Sequence, residues 1–539
     1  MRIKKQEELL DQTVRKQIIT EILQPENQWR KHKAYKRYQC YKDNTKRYVV
    51  ENMLSQFDLQ TVIEMRYSIS NISIAKKIVD KLARVYSNGA CREIQGDENA
   101  TNTLNILEKE LDFTSQMKTT NRFLKLQKNI ALYVKPCPEY EEDGSVKWDI
   151  KLQPINPYLY DAVEDYYDRT KPMCFILSHY KPQNNILLSV ESGFTQPQSR
   201  MVTEGNGRDE KIADKPIDEG QGERQLFVFW SDKYHFTCDA SGEIISDENN
   251  PGNLNPFGKM PIINFALDQD GSFWADGGDD IVDGSILINS VLTHTNHVGV
   301  SQGYGQAFMT GESLPRSLKV GPTKIILGEY KKDEQPQPTF DFKSANPQID
   351  SLRGLVEAYL ALLLTTNNLS TSGISAQLNG SSSSPSGIAL IIDKAESLED
   401  VQDQRQIFID KEPEIWEVIN SILINYADSM CDEYSGLSLP ENFCDSFTVK
   451  FHDQSPIMSE KEKLETMKLR QELGLDSMIG MIMKDDPGLT KQQAEEKLRS
   501  ILEDSLIAKS IEADIKSSDQ SMTTDLPNPV DNSGDMSGS

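Results

Sequence analysis

The chain has 539 residues, with 83 Asp and Glu against 58 Lys and Arg and a formal net charge of −25. Its length implies roughly two to four domains, and its charge excludes a protein that adheres to phosphate or anionic lipid through its overall field. Seven cysteines, an odd number with no CxxC pair, exclude a disulfide framework and point to a reducing compartment.

Residues 1–24 read as one amphipathic helix. Next comes WRKHKAYKRYQCYKDNTKRY (29–48), basic with interleaved aromatics, which is either a nucleic-acid-binding arm or a solvated helix face that offsets an acidic chain. In 71–89, Ile74, Ile78, Leu82 and Val85 fall at helical spacing, with Asn88-Gly89 as the expected C-cap, and 98–128 continue as helix. The pattern then alternates. Residues 129–160 read as a hairpin turning at Asp143-Gly144, followed by strands at 174–180 and within 226–246. The stretch 190–222 is polar with few apolar anchors and reads as a loop.

Asp279 and Asp280 suit the first turn of a helix running to about Ser301, with Ile281, Ile288, Val291, Leu292 and Val298 as its apolar positions. A compact segment rich in Gly, Pro and Lys follows (304–346), then a strongly aliphatic helix (347–367). That order predicts two antiparallel helices holding a small module at one tip. The polar loop QLNGSSSSPSGIAL (377–390) comes next, at the opposite end. A long helix then carries Ile388, Ile391, Ala395, Leu398 and Val401 on one stripe, with Pro413 expected to kink or break it before a further helix at 414–430. Residues 446–454 read as a lone strand, and capping boxes at Ser459/Glu462 and Thr490/Gln493 open two more helices. Residues 510–539 hold six acids, one lysine and almost no apolar anchors, the composition of a disordered tail.

Positive signs of catalysis are missing. There is no Walker A, GxSxG or HExxH pattern. An EF-hand loop counted from Asp268 places Ser272 and Phe273 where an acid and a glycine are needed. His294 and His297 lie three apart on a helix without a third ligand, and the other histidines are scattered. Asp393, Glu396, Glu399, Asp400 and Asp403 form an acidic helix face with nothing nearby to build a pocket. The expectation is no enzyme, no metal and no cofactor. No apolar run approaches the roughly 18–20 residues of a membrane span, and MRIKKQEELL lacks a signal-peptide core. The chain is therefore expected to be soluble, with no membrane partner.

The succession of elements over about 45–507 resembles the portal proteins of tailed bacteriophages, most closely the medium-sized portals of long-tailed phages. The residues carrying the resemblance are NISIAKKIVDKLARVYSNG (71–89), MPIINFA (260–266), GESLPRSLKVGPTKIILGEYKK (311–332), NGSSSSPSGIAL (379–390) and 447–477. It implies an α+β, mainly helical protein with this organisation: an N-terminal wing (1–275, β-rich over 129–270), stem helices at 276–303 and 347–368 flanking a clip (304–346), and a tunnel loop (369–387). A kinked spine helix and return strand (388–457), a helical crown (458–507) and an acidic tail (508–539) complete it.

The function the resemblance implies is a homo-oligomeric ring, usually of about twelve subunits, at one capsid vertex of the virion, assembled in the host bacterial cytoplasm. Double-stranded DNA passes through it during packaging and ejection. Terminase, the head–tail adaptor, and the major capsid and scaffolding proteins are its partners. The implied channel-lining residues are Asn379, Gly380, Ser381, Ser382, Ser383, Ser384 and Ser386; the implied partner-binding residues of the clip are Arg316, Lys319, Lys324, Lys331 and Lys332. The physics of the loop suits that role. A lysine collar would make charge-assisted bonds to every passing phosphate, whereas Ser, Asn and Gly offer weak, adaptable ones. A non-ring adaptor using the basic segment 29–48 is the competing expectation.

Overall fold

The computed structural model describes residues 2–140, 146–178, 225–247, 250–267, 270–275, 277–302, 306–310, 339–343, 349–369, 387–452, 468, 477–485 and 493–503, with backbone only for 301–343 and 387–398. It separates into two units, Met1–Phe451 and His452–Ser539. The fold is mixed α and β, with helix (53%) well ahead of strand (19%).

The first unit does not begin with one helix. Arg2–Ile3 form a strand (β1), Gln6–Leu10 a 3-10 turn, and only Gln12–Ile22 an α-helix (α1), started by the Asp11 carboxylate accepting from Thr13 N–H at 2.8 Å. β1 pairs in parallel with β5 (Tyr160–Asp165). β5 opens an antiparallel run through β6 (Pro172–Ser178), β7 (Phe227–Trp230), β8 (His235–Cys238) and β9 (Ile244–Ile245). One face of this six-stranded sheet and the N-terminal segment close a core of their own: Ile3, Leu9, Ile18, Ile19 and Ile22 meet Val163, Ile176, Phe227 and Phe229. Each buried aliphatic contributes about 1.5–3 kcal/mol, so the N-terminus is docked, not frayed.

The larger core is built from helices α2 (Pro25–Tyr41), α3 (Lys46–Leu54), α4 (Leu59–Glu64), α5 (Ile74–Leu82), α6 (Glu98–Glu110) and α7 (Phe113–Gln127), laid against a three-stranded sheet. That sheet has β3 (Asn129–Tyr140) at its centre, between β10 (Ile262–Ala266) and β4 (Val146–Ile155). The β3–β4 pairing is the expected hairpin; its turn at Asp143-Gly144 lies outside the described residues. α5 ends at Leu82, seven residues before Gly89, because the chain leaves helical geometry at Ala83 (ψ 75°). Val85 stays buried all the same, and Gly89 (φ 82°) serves the turn into β2 (Ala90–Ile94). The expected helix 98–128 is two helices, broken where Asp112 adopts φ 47°.

Among the described residues beyond β10 run α8 (Asp279–Gln302), α9 (Ile349–Thr366) and α10 (Gly387–Asn425). Pro413 neither breaks α10 nor starts a new helix; it sits inside one continuous element of 39 residues. Its ring lacks the N–H that would bond the carbonyl four residues back. The surroundings hold the helix regardless: Phe408, Ile415, Trp416, Ile419 and Ile422 are fully buried, and Trp416 stacks on Phe113 with centroids 4.5 Å apart. Strand β13 (Phe447–Phe451) is not alone. It pairs antiparallel with β2, Phe447 opposite Ile94 and Phe451 opposite Ala90.

In the second unit the described residues include α11 (Met478–Asp485) and a helix at 493–503. The capping residues Ser459, Glu462 and Thr490, the loop 190–222 and the acidic tail lie outside the described residues.

Candidate functional site

α8 and α9 run antiparallel, and the contacts that fix this lie at both ends. Near the start of α8, Asp280 Oδ2 accepts from Asn367 Nδ2, just past the end of α9, at 3.2 Å. One turn further on, a Cβ placed on Gly284 would sit 2.8 Å from Leu363 Cδ1, so the glycine admits the leucine against the α8 backbone. At the other end, strand β11 (Gln306–Thr310), which follows α8, pairs antiparallel with β12 (Thr339–Lys343), which precedes α9. The two strands bring the ends of 304–346 together at one tip. The chain leaves α9 at the opposite end, where Asn368 (φ 53°) reverses it and Leu369 N–H bonds Leu364 carbonyl at 2.9 Å.

α9 is the most aliphatic of these helices, yet Leu363 and Leu364 are its only buried residues. Leu355 is 39% exposed and Leu362 is 62% exposed. On α8, Leu287 and Val300 are exposed as well. A helix apolar around most of its surface belongs in a packed interior; among the described residues the core half-buries Val356, Tyr359 and Leu360 but leaves Leu355 and Leu362 uncovered.

The base of α8 is pinned by charge. Asp279 accepts from Arg37 Nε at 2.7 Å and from Lys33 Nζ at 2.9 Å, and Asp283 pairs with Lys36 at 2.7 Å. Burial raises the Asp279 carboxyl, but the bonds from Arg37 and Lys33 outweigh it and hold the group below its usual range. Gly278 (φ 84°) permits the approach, since a Cβ there would lie 2.9 Å from Leu126 carbonyl. Further along, α8 meets the segment 68–73 through a polar seam. The Asn289 side chain bonds Ser70 Oγ (2.9 Å), Ile72 N–H (2.8 Å) and Ile72 carbonyl (3.0 Å), while Thr293 Oγ1 accepts from Ser70 N–H at 2.9 Å.

These contacts account for most of the cations in the basic segment 29–48. α2 buries Lys31, Ala34, Arg37, Cys40 and Tyr41 on one face. Arg30 and Lys31 both pair with the buried Asp161, at 2.6 and 2.5 Å, and Lys31 also donates to Ser178 Oγ at 2.8 Å. Sequence reading could not see this, because the carboxylates that answer the stripe lie 130 to 250 residues downstream.

No protein-family model and no curated protein matches this chain.

The remaining candidates divide sharply. Asn379, Gly380, Ser381, Ser382, Ser383, Ser384 and Ser386, and Arg316, Lys319, Lys324, Lys331 and Lys332, all lie outside the described residues. His294 packs on the Phe57 ring at 5.2 Å, and burial, then His297, lowers its pKa. Of the acidic face on α10, Asp400 pairs with Lys125 at 2.7 Å, whereas Glu399 and Asp403 are exposed. Among the described residues no three His, Cys, Asp or Glu side chains converge as metal ligands, and no helix is long and apolar enough to cross a membrane.

Proposed function

We propose that this chain is the protomer of a portal-type ring, a channel for double-stranded DNA during packaging into and ejection from a phage capsid. The observation that carries the reading is the antiparallel α8–α9 pair: an aliphatic α9 with Leu355 and Leu362 exposed, a two-stranded pairing at one tip, and a chain that leaves α9 at the other, toward the serine-rich sequence. Side-by-side copies would cover Leu355 and Leu362 and place the serine segments around a shared axis. In this reading the 304–346 module with Arg316, Lys319, Lys324, Lys331 and Lys332 faces terminase or adaptor, and catalysis belongs to the packaging ATPase. The major capsid and scaffolding proteins are the other partners.

The competing adaptor reading asked the segment 29–48 to hold nucleic acid. The geometry favours it less, because Arg30, Lys31, Lys33, Lys36 and Arg37 are engaged by Asp161, Asp279 and Asp283.

The deciding experiment is the mass and image of the purified chain. Closed rings of many copies, about a dozen, support the proposal; a monomer or dimer at every concentration overturns it. A second arm replaces Ser381–Ser384 with lysines, which should spare the ring and impair DNA passage.

A further inference from the structure

An acidic chain with a net charge of −25 still carries a basic surface among its described residues. It lies on α5 and α7, helices packed against one another, as the ion pair between Arg122 and Asp80 (3.5 Å) records. Lys77 and Lys81 are four apart and share one face of α5, and Arg84 follows two residues past its end. Lys118 and Arg122 are likewise four apart on α7. The carboxylate within the patch, Asp80, is already taken by Lys76 at 3.3 Å, Arg122 at 3.5 Å and the Tyr41 hydroxyl at 2.7 Å. At its margin, Asp43 bonds Ser73. Among the described residues, Lys77, Lys81, Arg84 and Lys118 have no carboxylate within ion-pair distance.

We infer that this face of α5 and α7 binds the phosphate backbone of double-stranded DNA without reading its sequence. Two physical arguments select that partner. Protein–protein interfaces have an apolar centre depleted of charge, whereas nucleic-acid interfaces are polar and strongly positive. Among the described residues of α5 and α7 no large apolar side chain is exposed; the nearest, Ile72, precedes α5. The net negative charge does not cancel the patch, because at about 0.1 M salt charges more than about 10 Å away are largely screened. This surface is distinct from the 29–48 stripe, most of whose cations are held by Asp161, Asp279 and Asp283, and the inference does not depend on the ring reading.

The test is fluorescence anisotropy of a labelled duplex of about 30 base pairs with the full chain, titrated from about 50 to about 200 mM salt. The comparison is with the triple variant Lys77→Gln, Lys81→Gln, Arg84→Gln; the lysines are exposed and Arg84 is half-buried, so the fold should survive. Four unpaired cations predict a slope of log affinity on log salt of about −3 to −4, and the variant should be shallower by about 2 to 3 and bind at least about tenfold more weakly at the lowest salt. The oligomer mass of both proteins is measured in parallel and should be equal. Wild-type protein that fails to bind, or a variant with an unchanged slope, overturns the inference. So does a variant that binds less only because its oligomer mass has changed, since the patch would then join copies. DNA binding without any ring leaves the inference standing and removes the portal proposal.

Discussion

Glu412, the residue before Pro413 in α10, is wholly buried and takes both Nε and an NH2 nitrogen of the equally buried Arg92, at 2.6 and 2.9 Å. The Tyr86 hydroxyl donates to the same carboxylate at 2.6 Å, while the other arm of Arg92 reaches Glu108 at 2.6 Å and its guanidinium lies 4.6 Å from the Phe113 ring centroid. The helix turn that loses a backbone bond to proline is thus tied by side chains to β2, to α6 through Arg92, and to Tyr86 in the segment between α5 and β2.

Breaking that tie on one side should be severe. Glu412→Ala leaves a buried guanidinium short of its partner and is expected to lower stability by about 3–5 kcal/mol. Removing both charges, as Arg92→Met with Glu412→Met, should cost less than either single change. Denaturant unfolding of Arg92→Met, Glu412→Met and the double variant checks this; a double variant as unstable as the sum of the singles would contradict it.

The uncovered positions of α9 give the assembly test. Leu355→Glu with Leu362→Glu adds charge where a neighbouring copy is expected to lie and removes little from the protomer's own core. The oligomer mass should fall to that of one chain, with the protomer's unfolding midpoint nearly unchanged. Intact rings from this variant would place the contact elsewhere.

Close approach of α8 and α9 depends on Gly284 beside Leu363. Gly284→Val should force the helices apart, and Leu363→Ala alone should open a cavity worth about 2–5 kcal/mol. Combined, the added and deleted carbons partly offset one another, so the double variant should be more stable than the two single losses imply. Equilibrium unfolding reads the difference.

Acid should weaken the α8 seam through His294, whose folded pKa is lowered by burial and then by His297. With the folded pKa below the unfolded value of about 6.5, the unfolded state binds more protons between the two, so stability rises with pH across that window and is complete above it. Between about pH 7.5 and about pH 5.5 the wild type should therefore lose more thermal stability than His294→Gln. Parallel pH dependences of the two proteins would exclude this histidine as a source.

What could be read in advance was whatever depends on local pattern. α8 and α9 begin and end within about three residues of their expected bounds, because aliphatic periodicity and the Asp279–Asp280 start are local signals. The β3–β4 hairpin was visible for the same reason. The errors came from partners remote in sequence. A strand of two residues, Arg2–Ile3, has no pattern to betray it and exists because β5 offers an edge 160 residues later. The break expected at Pro413 does not occur, since Trp416, Phe113 and the Arg92–Glu412 pair hold the helix across it. The cations of α2 looked free because Asp161 and Asp279 are not adjacent in the sequence, and the basic face of α5 and α7 was overlooked because Lys77 and Lys81 are interleaved with the core stripe of α5.

The pairing of β2 with β13 also bears on how the chain is made. Residue 94 must wait for residue 447 before it gains its neighbour. At about 5–20 residues per second that interval is roughly 20–70 s on the ribosome. Through that time the hydrogen-bonding edge of Ala90–Ile94 is open, so early truncations of the nascent chain should be captured by holdase chaperones, and release should follow only once translation passes Phe451.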